Sequence, residues 1–392
     1  MADLIVRAYN VLFGDAILIS IPDRQRNGTE VVRHILIDVG NLLASKDDVF
    51  IPVVKDIADR TGGEVDLYVM THEHLDHVQG LLTAKNNGVD LVAKHAWLTG
   101  SAAEDYYETH ENAKKKKLDF AETYEGLVEQ HSAASDPWLT MMIENNSALL
   151  PEGALGLGTA DYVNHLRMVA PESATHYVDR TTPLAGKHPF EEAKLRILAP
   201  EEDTSDYYGQ RRQPRLGAAA AEGIAVGAGQ RPAAVEALWQ PPVGVQAGAF
   251  YDLVQSRNHV NRQAIMEIDA AANNTSIVLE ITWRGWKLLF PGDAEERSWE
   301  TMRDQKLLKP VHFVKISHHG SVNGTVAEIL DVVFPEDDPD GKPRRALVST
   351  HDHDWDSVPD PDTLKLYPKR GCEVLDTRDV AEGEAVEIVF EG

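Results

Sequence analysis

The sequence predicts an α/β fold, and three passages of one kind carry the prediction. Val65-Asp66-Leu67-Tyr68-Val69-Met70 reads as a buried strand, followed by a polar turn over 72–77 and a helix start at Val78-Gln79-Gly80-Leu81-Leu82. The pattern recurs as strand 286–291, Gly292-Asp293, and helix 294–306. It recurs again as strand 311–317, His318-His319-Gly320, and helix 324–333. Strands that end in short polar turns and pass directly into helices suit a layered α/β domain.

The other elements follow from periodicity and breakers. Residues 3–40 read as two or three strands, with alternation in Leu4-Ile5-Val6-Arg7-Ala8-Tyr9 and a polar turn at Asp23-Arg24-Gln25-Arg26-Asn27-Gly28. Val49, Ile51, Val53, Val54, Ile57 and Ala58 give residues 48–60 a helical apolar face. Helix 78–86 and strand 90–99 complete the first half. From 101 to 170 the text turns helical and charged, with 3.6-type spacing at 102–111, 114–132 and 136–150 and a break at Pro151-Glu152-Gly153. Strand character returns at 174–178 and 193–200. Residues 207–250 are rich in Ala, Gly and Pro and read as a mobile excursion. Strands at 264–269, 275–282, 286–291, 311–317 and 345–350, then 373–375 and 385–390, finish the sheet.

Composition sets limits on function. The 392 residues can bury a large core. The only cysteine, Cys372, excludes an intrachain disulfide and reads as a buried structural thiol in a reducing compartment. No basic leader and no apolar run of membrane-spanning length stand in the sequence, so a cytoplasmic protein is the expectation. Lys+Arg 38 against Asp+Glu 63 gives a net charge of −25. Such a surface repels a polyphosphate backbone, which disfavours nucleic acid as the partner and favours a small-molecule substrate. Lys114-Lys115-Lys116-Lys117 and Arg211-Arg212 are the basic runs, and the first reads as a solvated helix face.

The most informative residues are His72-Glu73-His74-Leu75-Asp76-His77. His72 and His74 stand on one side of an extended turn, and Asp76 and His77 project from the next. Three imidazoles and a carboxylate can converge on one or two divalent ions, and this donor chemistry suits zinc first, manganese or iron next, and not calcium.

With Phe13-Gly14-Asp15, Leu36-Ile37-Asp38, Asn273-Asn274-Thr275-Ser276, Phe290-Pro291-Gly292-Asp293 and Ser317-His318-His319-Gly320-Ser321 in the same order, the chain resembles the metallo-β-lactamase superfamily. It is most similar to the branch that holds the hydrolase domain of competence DNA-uptake channels and the phosphorylcholine esterases. The resemblance implies one domain over 1–392, a four-layer αββα metallo-β-lactamase sandwich with a helical insertion at 101–173. It implies two divalent transition-metal ions, one held by His72, His74 and Asp293, the other by Asp76, His77, Asp293 and His319. Asp293 would bridge them, although an N-cap for the following helix is its structural alternative. His319 would be the ligand of the histidine pair, and His318 a group that contacts substrate. Asp38 would orient ligands or hold the loop, and Asp76 or Asp38 could shuttle a proton.

Two departures stand out. The superfamily often completes its first metal site with a further histidine, but His95, His165 and His176 each read as ordinary, as in the uptake-channel branch, which tends to lack that histidine. The usual Tyr-Gly-His-Pro segment is replaced by a stretch holding His351 and His353, which read as turn residues. The implied activity is metal-assisted hydrolysis of a phosphodiester in a small molecule or headgroup. A nuclease and a non-catalytic metal-bound scaffold are the alternatives. The insertion is expected to border the metal cleft or to mediate homo-oligomer contacts.

Overall fold

A computed structural model describes residues 2–42, 48–115, 137–146, 159–207, 265–336, 341–352 and 358–392. The α/β class is as expected, in two mixed sheets. The first holds β1 (Leu4–Tyr9), β2 (Ala16–Arg24), β3 (Glu30–Val39), β5 (Leu67–Met70), β7 (Ala96–Thr99), β8 (Thr175–Val178) and β15 (Ala385–Phe390), in the order β15-β1-β2-β3-β5-β7-β8. The second holds β9 (Lys194–Ala199), β10 (Val278–Trp283), β11 (Trp286–Phe290), β12 (Phe313–Lys315), β13 (Arg344–Val348) and β14 (Cys372–Asp376), in the order β14-β13-β12-β11-β10-β9. A separate parallel pair joins β4 (Glu64–Val65) to β6 (Val92–Ala93).

Side-chain alternation explains why these strands read as continuous apolar runs: both faces are covered. Ile17, Ile35, Val69 and Trp97 enter a core shared with Leu279, Leu288, Phe313 and Leu347 of the second sheet. Their neighbours Leu18, Leu36, Tyr68 and Leu98 point the other way, onto helix Phe50–Thr61 and residues Leu81, Val163 and Leu166. On the far side of the second sheet, Leu289, Val314, Ala346 and Val348 pack with Trp299, Met302, Ile329 and Leu330 from helices Glu296–Asp304 and Ala327–Val333. Each such large apolar side chain contributes about 1.5–3 kcal/mol on burial. Helix Phe50–Thr61 ends where Gly62 takes φ 72°, the left-handed conformation that stops a helix and that glycine adopts without strain.

The topology gathers the polar turns at one kind of strand end. Strands β3 and β5 are parallel, as are β11, β12 and β13. The turns leaving their C-terminal ends carry Thr71 to His77, Gly292-Asp293, Ser317 to Gly320 and Ser349. In α/β sheets this is the edge where ligands bind.

Several elements differ from the sequence expectation. The expected strand 264–269 is helical over its described part: residues 265–273 form a helix. Ile265, Ile268 and Ala271 are buried at a spacing of three, and the run Ala270-Ala271-Ala272 favours helix. The expected helix 78–86 starts inside the histidine motif as Leu75–Val78 and resumes as Gly80–Asn86. Strand 90–99 breaks at Lys94-His95 into β6 and β7. Within 101–173 the described segments include helices Tyr106–Thr109, Pro137–Asn145 and Thr159–Leu166. The basic run from Lys116, Arg211-Arg212, nearly all of 207–250, and His353 lie outside the described residues. Among the described residues no helix is long and apolar enough to cross a membrane. Cys372 is buried, and burial pushes its thiol up to about 12.

Candidate metal centre

Close backbone packing builds the floor of the centre. Asp15 N donates to Asp76 O at 3.2 Å, and Gly40 N donates to Asp15 O at 3.0 Å. A Cβ on Gly40 would stand 2.1 Å from Asp76 C and 2.2 Å from His77 N, and one on Gly14 would stand 2.1 Å from Gly40 O. Only glycine lets the ends of β3 and the Phe13-Gly14-Asp15 turn press against the backbone of the histidine motif.

On that floor Asp76, His77, Asp293 and His319 converge, all buried, each with a donor atom within 4.8 Å of the others. His319 Nε2 lies 3.2 Å from both Asp76 Oδ2 and Asp293 Oδ2. His77 Nε2 lies 3.2 Å from Asp293 Oδ2 and 3.8 Å from Asp76 Oδ1. His77 Nε2 and Asp76 Oδ1 have no aligned hydrogen-bond partner, although such buried polar atoms are normally paired.

The remaining nitrogens of these imidazoles are fixed from behind. His77 Nδ1–H donates to Asp38 Oδ2 at 2.8 Å, and His319 Nδ1–H donates to Ser349 O at 2.8 Å. Asp38 also accepts from Thr71 N at 2.8 Å and Thr71 Oγ1 at 2.6 Å. Imidazoles held this way present Nε2 inward, the usual arrangement behind a metal-binding histidine. Lys315, buried at the end of β12, sits 2.6 Å from Asp15 Oδ2 and 3.1 Å from Asp293 Oδ1.

Electrostatics follow from this packing. Burial opposes charge on His77 and His319, but the carboxylates outweigh it: Asp293, Asp76 and Asp38 raise His77 well above the ordinary histidine value, and Asp293 and Asp76 raise His319 to about 10. Burial likewise opposes ionisation of Asp293, yet His319, Lys315 and His77 hold it well below the usual carboxylate range. Asp76 is lowered by His77 and His319 against the same burial. Burial raises Asp38 despite His77 and Thr71.

His72 and His74 are arranged differently. The Thr71 hydroxyl spends its proton on Asp38, so its oxygen accepts from His72 Nδ1–H at 3.1 Å, and His72 Nε2 is left buried with no donor. Burial, with His77 and His74 nearby, lowers His72 well below its ordinary value and keeps it neutral. Its ring lies 4.2 Å from that of His77 and 4.6 Å from that of His74. His74 Nε2 instead donates to Asn146 Oδ1 at 3.0 Å and lies 3.7 Å from Asp269 Oδ1. Among the described residues no group of three converging donors contains His72 or His74, so the trio His72, His74 and Asp293 is not brought together as expected. His74 is engaged instead by Asp269 of the helical segment 265–273 and by Asn146, just past helix Pro137–Asn145.

The two histidines of the pair enter different groups. His319 joins the buried four, whereas His318, with 18% of its side chain exposed, faces Glu295 at 3.2 Å in a group with Asp269. Both take positive φ, 48° and 50°, and their ring centroids lie 6.3 Å apart. Helix Pro137–Asn145 touches the centre: Asn145 Oδ1 accepts from Asp76 N at 3.3 Å, beside the Asn146 contact. Of the other histidines, His95, His165, His176 and His351 enter no converging group among the described residues.

Four participants were not singled out from sequence: Asp15, Lys315, Asp269 and Glu295. Lys315 had a readable signal, a lone cation inside the apolar strand Val311 to Ile316, where an unpaired charge would not be tolerated. Asp269 had none, because its segment read as a strand.

The donor set fits a transition metal: two imidazole nitrogens and two carboxylates in a buried site, with lone pairs on His72 and His77 and an oxygen of Asp76 that meet no protein donor. Comparison with protein-family models and with curated proteins finds no match in either case.

Proposed function

We propose that the chain is a metal-dependent hydrolase of the metallo-β-lactamase type, acting as a phosphodiesterase on a small molecule or headgroup. The observation that carries the reading is the buried convergence of Asp76, His77, Asp293 and His319 around unpartnered donor atoms. Two sheets sharing one apolar core, with helices on their outer faces, are also what a four-layer αββα sandwich requires.

Asp76, His77, Asp293 and His319 would hold one divalent ion. A second ion near His72 and His74 has less support, since of that pair His72 alone presents a buried atom without a partner. When bound, such an ion supplies a Lewis acid for the phosphoryl oxygens and lowers the pKa of water. The protein residues do the rest. Asp38 and Ser349 O keep His77 and His319 in the tautomer that offers Nε2. Asp76, with Oδ1 unengaged, is the group we assign to proton transfer at the attacking side. His318, partly open and backed by Glu295, is the group we assign to protonation of the leaving oxygen. Asp38 has both oxygens committed to Thr71 and His77, so orientation is its role and proton shuttling is not.

The net charge of −25 favours a small substrate over long nucleic acid. The test is a panel of bis-aryl phosphodiester, single-stranded DNA, RNA, lactam and thioester with zinc- or manganese-loaded protein. Turnover of the small phosphodiester, lost in Asp293→Ala, is expected to exceed nuclease activity at physiological salt. Dominant oligonucleotide cleavage, lost in the same variant, would put a nuclease first. Full metal retention in both His77→Ala and Asp293→Ala would remove the metal centre as described.

A further inference from the structure

Lys315 places a positive charge inside a centre that would hold a cation, and nothing above gives it a chemical task. Its side chain is 1% exposed. Nζ lies 2.6 Å from Asp15 Oδ2, 3.1 Å from Asp293 Oδ1 and 3.2 Å from Gly292 O. Those three acceptors use the three donors of an ammonium and fix its orientation. The other oxygen of Asp293, Oδ2, faces His77 Nε2 and His319 Nε2 at 3.2 Å each. The two oxygens of one carboxylate therefore have separate partners.

We infer that Lys315 is a positioning residue that confines Asp293 to coordination through Oδ2 alone and thereby keeps a coordination position free for an exogenous ligand. This rests on the metal-centre reading above. With Lys315 gone, Oδ1 would be free to turn onto the cation, and Asp293 would become a two-oxygen ligand. A second ion, where present, would have to share Oδ2. The ammonium also repels a cation directly, so Lys315 lowers metal affinity while preserving an open position. A residue that merely supported the fold would act in the opposite sense, since its loss would loosen Asp293 and weaken binding. The sign of the affinity change separates the two roles.

The experiment uses Co(II) as the probe and compares Asp15→Asn with Asp15→Asn/Lys315→Met. The paired design matters because Lys315→Met alone would strand the buried Asp15 carboxylate. We expect the double variant to bind Co(II) about tenfold more tightly than the single variant. Its visible d–d band should also weaken as a further oxygen joins the ion. Equal or weaker binding with an unchanged band would overturn the role assigned to Lys315 while leaving the metal centre intact. The wild-type spectrum is a second readout that needs no variant. An intense band of low coordination number is expected, and a weak six-coordinate band would overturn the inference. Failure of the wild-type protein to take up Co(II) at all would instead overturn the underlying metal reading.

Discussion

Replacing Asp38 with Asn tests how the centre is organised, because it changes one atom and reverses two hydrogen bonds, one of them to His77. Asp38 accepts three: from Thr71 N at 2.8 Å, from Thr71 Oγ1 at 2.6 Å and from His77 Nδ1 at 2.8 Å. In Asp38→Asn the amide oxygen must stay on Thr71 N, since the flipped amide would set two donors against each other in a buried site at a cost of about 1–3 kcal/mol. The new NH2 group then faces Thr71 Oγ1 and His77 Nδ1. The hydroxyl can rotate and accept. His77 Nδ1 can accept only in the other tautomer, which moves the ring proton to Nε2, the nitrogen that faces Asp293 and Asp76. Binding an ion through Nε2 would force the remaining ring proton onto Nδ1, against the new NH2 group, so metal affinity should fall about 10- to 100-fold, which corresponds to about 1.4–2.7 kcal/mol. Competition against a chromophoric chelator at fixed pH measures this, with circular dichroism as a check on folding. A folded Asp38→Asn protein that binds zinc within about threefold of wild type, well short of that range, would refute the tautomer argument.

Gly40→Ala should cost about 3 kcal/mol or more in urea unfolding, because its Cβ would meet the backbone of Asp76 and His77 and no rotamer change relieves that. His319→Ala should lose metal by elemental analysis and His318→Ala should keep it while losing turnover; the reverse pattern would mean that the neighbours are misassigned. In metal-free protein His77 and His319 bind protons more tightly than the ordinary histidine value of 6.5, and His319 does so up to about 10. A raised folded pKa gives stability that is fully present below 6.5 and is lost as pH rises towards 10. The Tm of the metal-free protein should therefore fall over that interval, and added zinc should reduce the fall; a flat profile would contradict the proposed charge arrangement.

The sequence made some of this legible and hid the rest for definable reasons. The strands were readable because both faces of Leu67 to Met70 and of Trp286 to Phe290 are packed or nearly so, which leaves unbroken apolar runs. Asp76, His77, Asp293 and His319 were readable because each stands in a short polar turn at the end of such a strand. The separate arrangement of His74 was not. It depends on Asn146 and Asp269, which lie 72 residues away in the first case and on a helix whose short apolar run reads equally as a strand in the second. The link from Lys315 to Asp15 depends on the meeting of two sheets, and local pattern carries no information about a partner three hundred positions upstream.

The cluster also has a place in the order of folding. His77 and Asp76 follow a strand of the first sheet, whereas Asp293 and His319 follow strands of the second, and the contact from Asp76 to His319 spans 243 residues. Contacts of such separation form late, after loop closure has been offset by the packing of the shared core. No half of the molecule owns a complete set of donors, so an ion can be held with full affinity only after both sheets have docked. On the proposed metal reading, metal capture would then be a completion signal. In a refolding experiment with Co(II) present, the visible band should rise after the far-ultraviolet signal has recovered, and the bound ion should act as a latch across the seam between the sheets, slowing their separation more than it speeds their union.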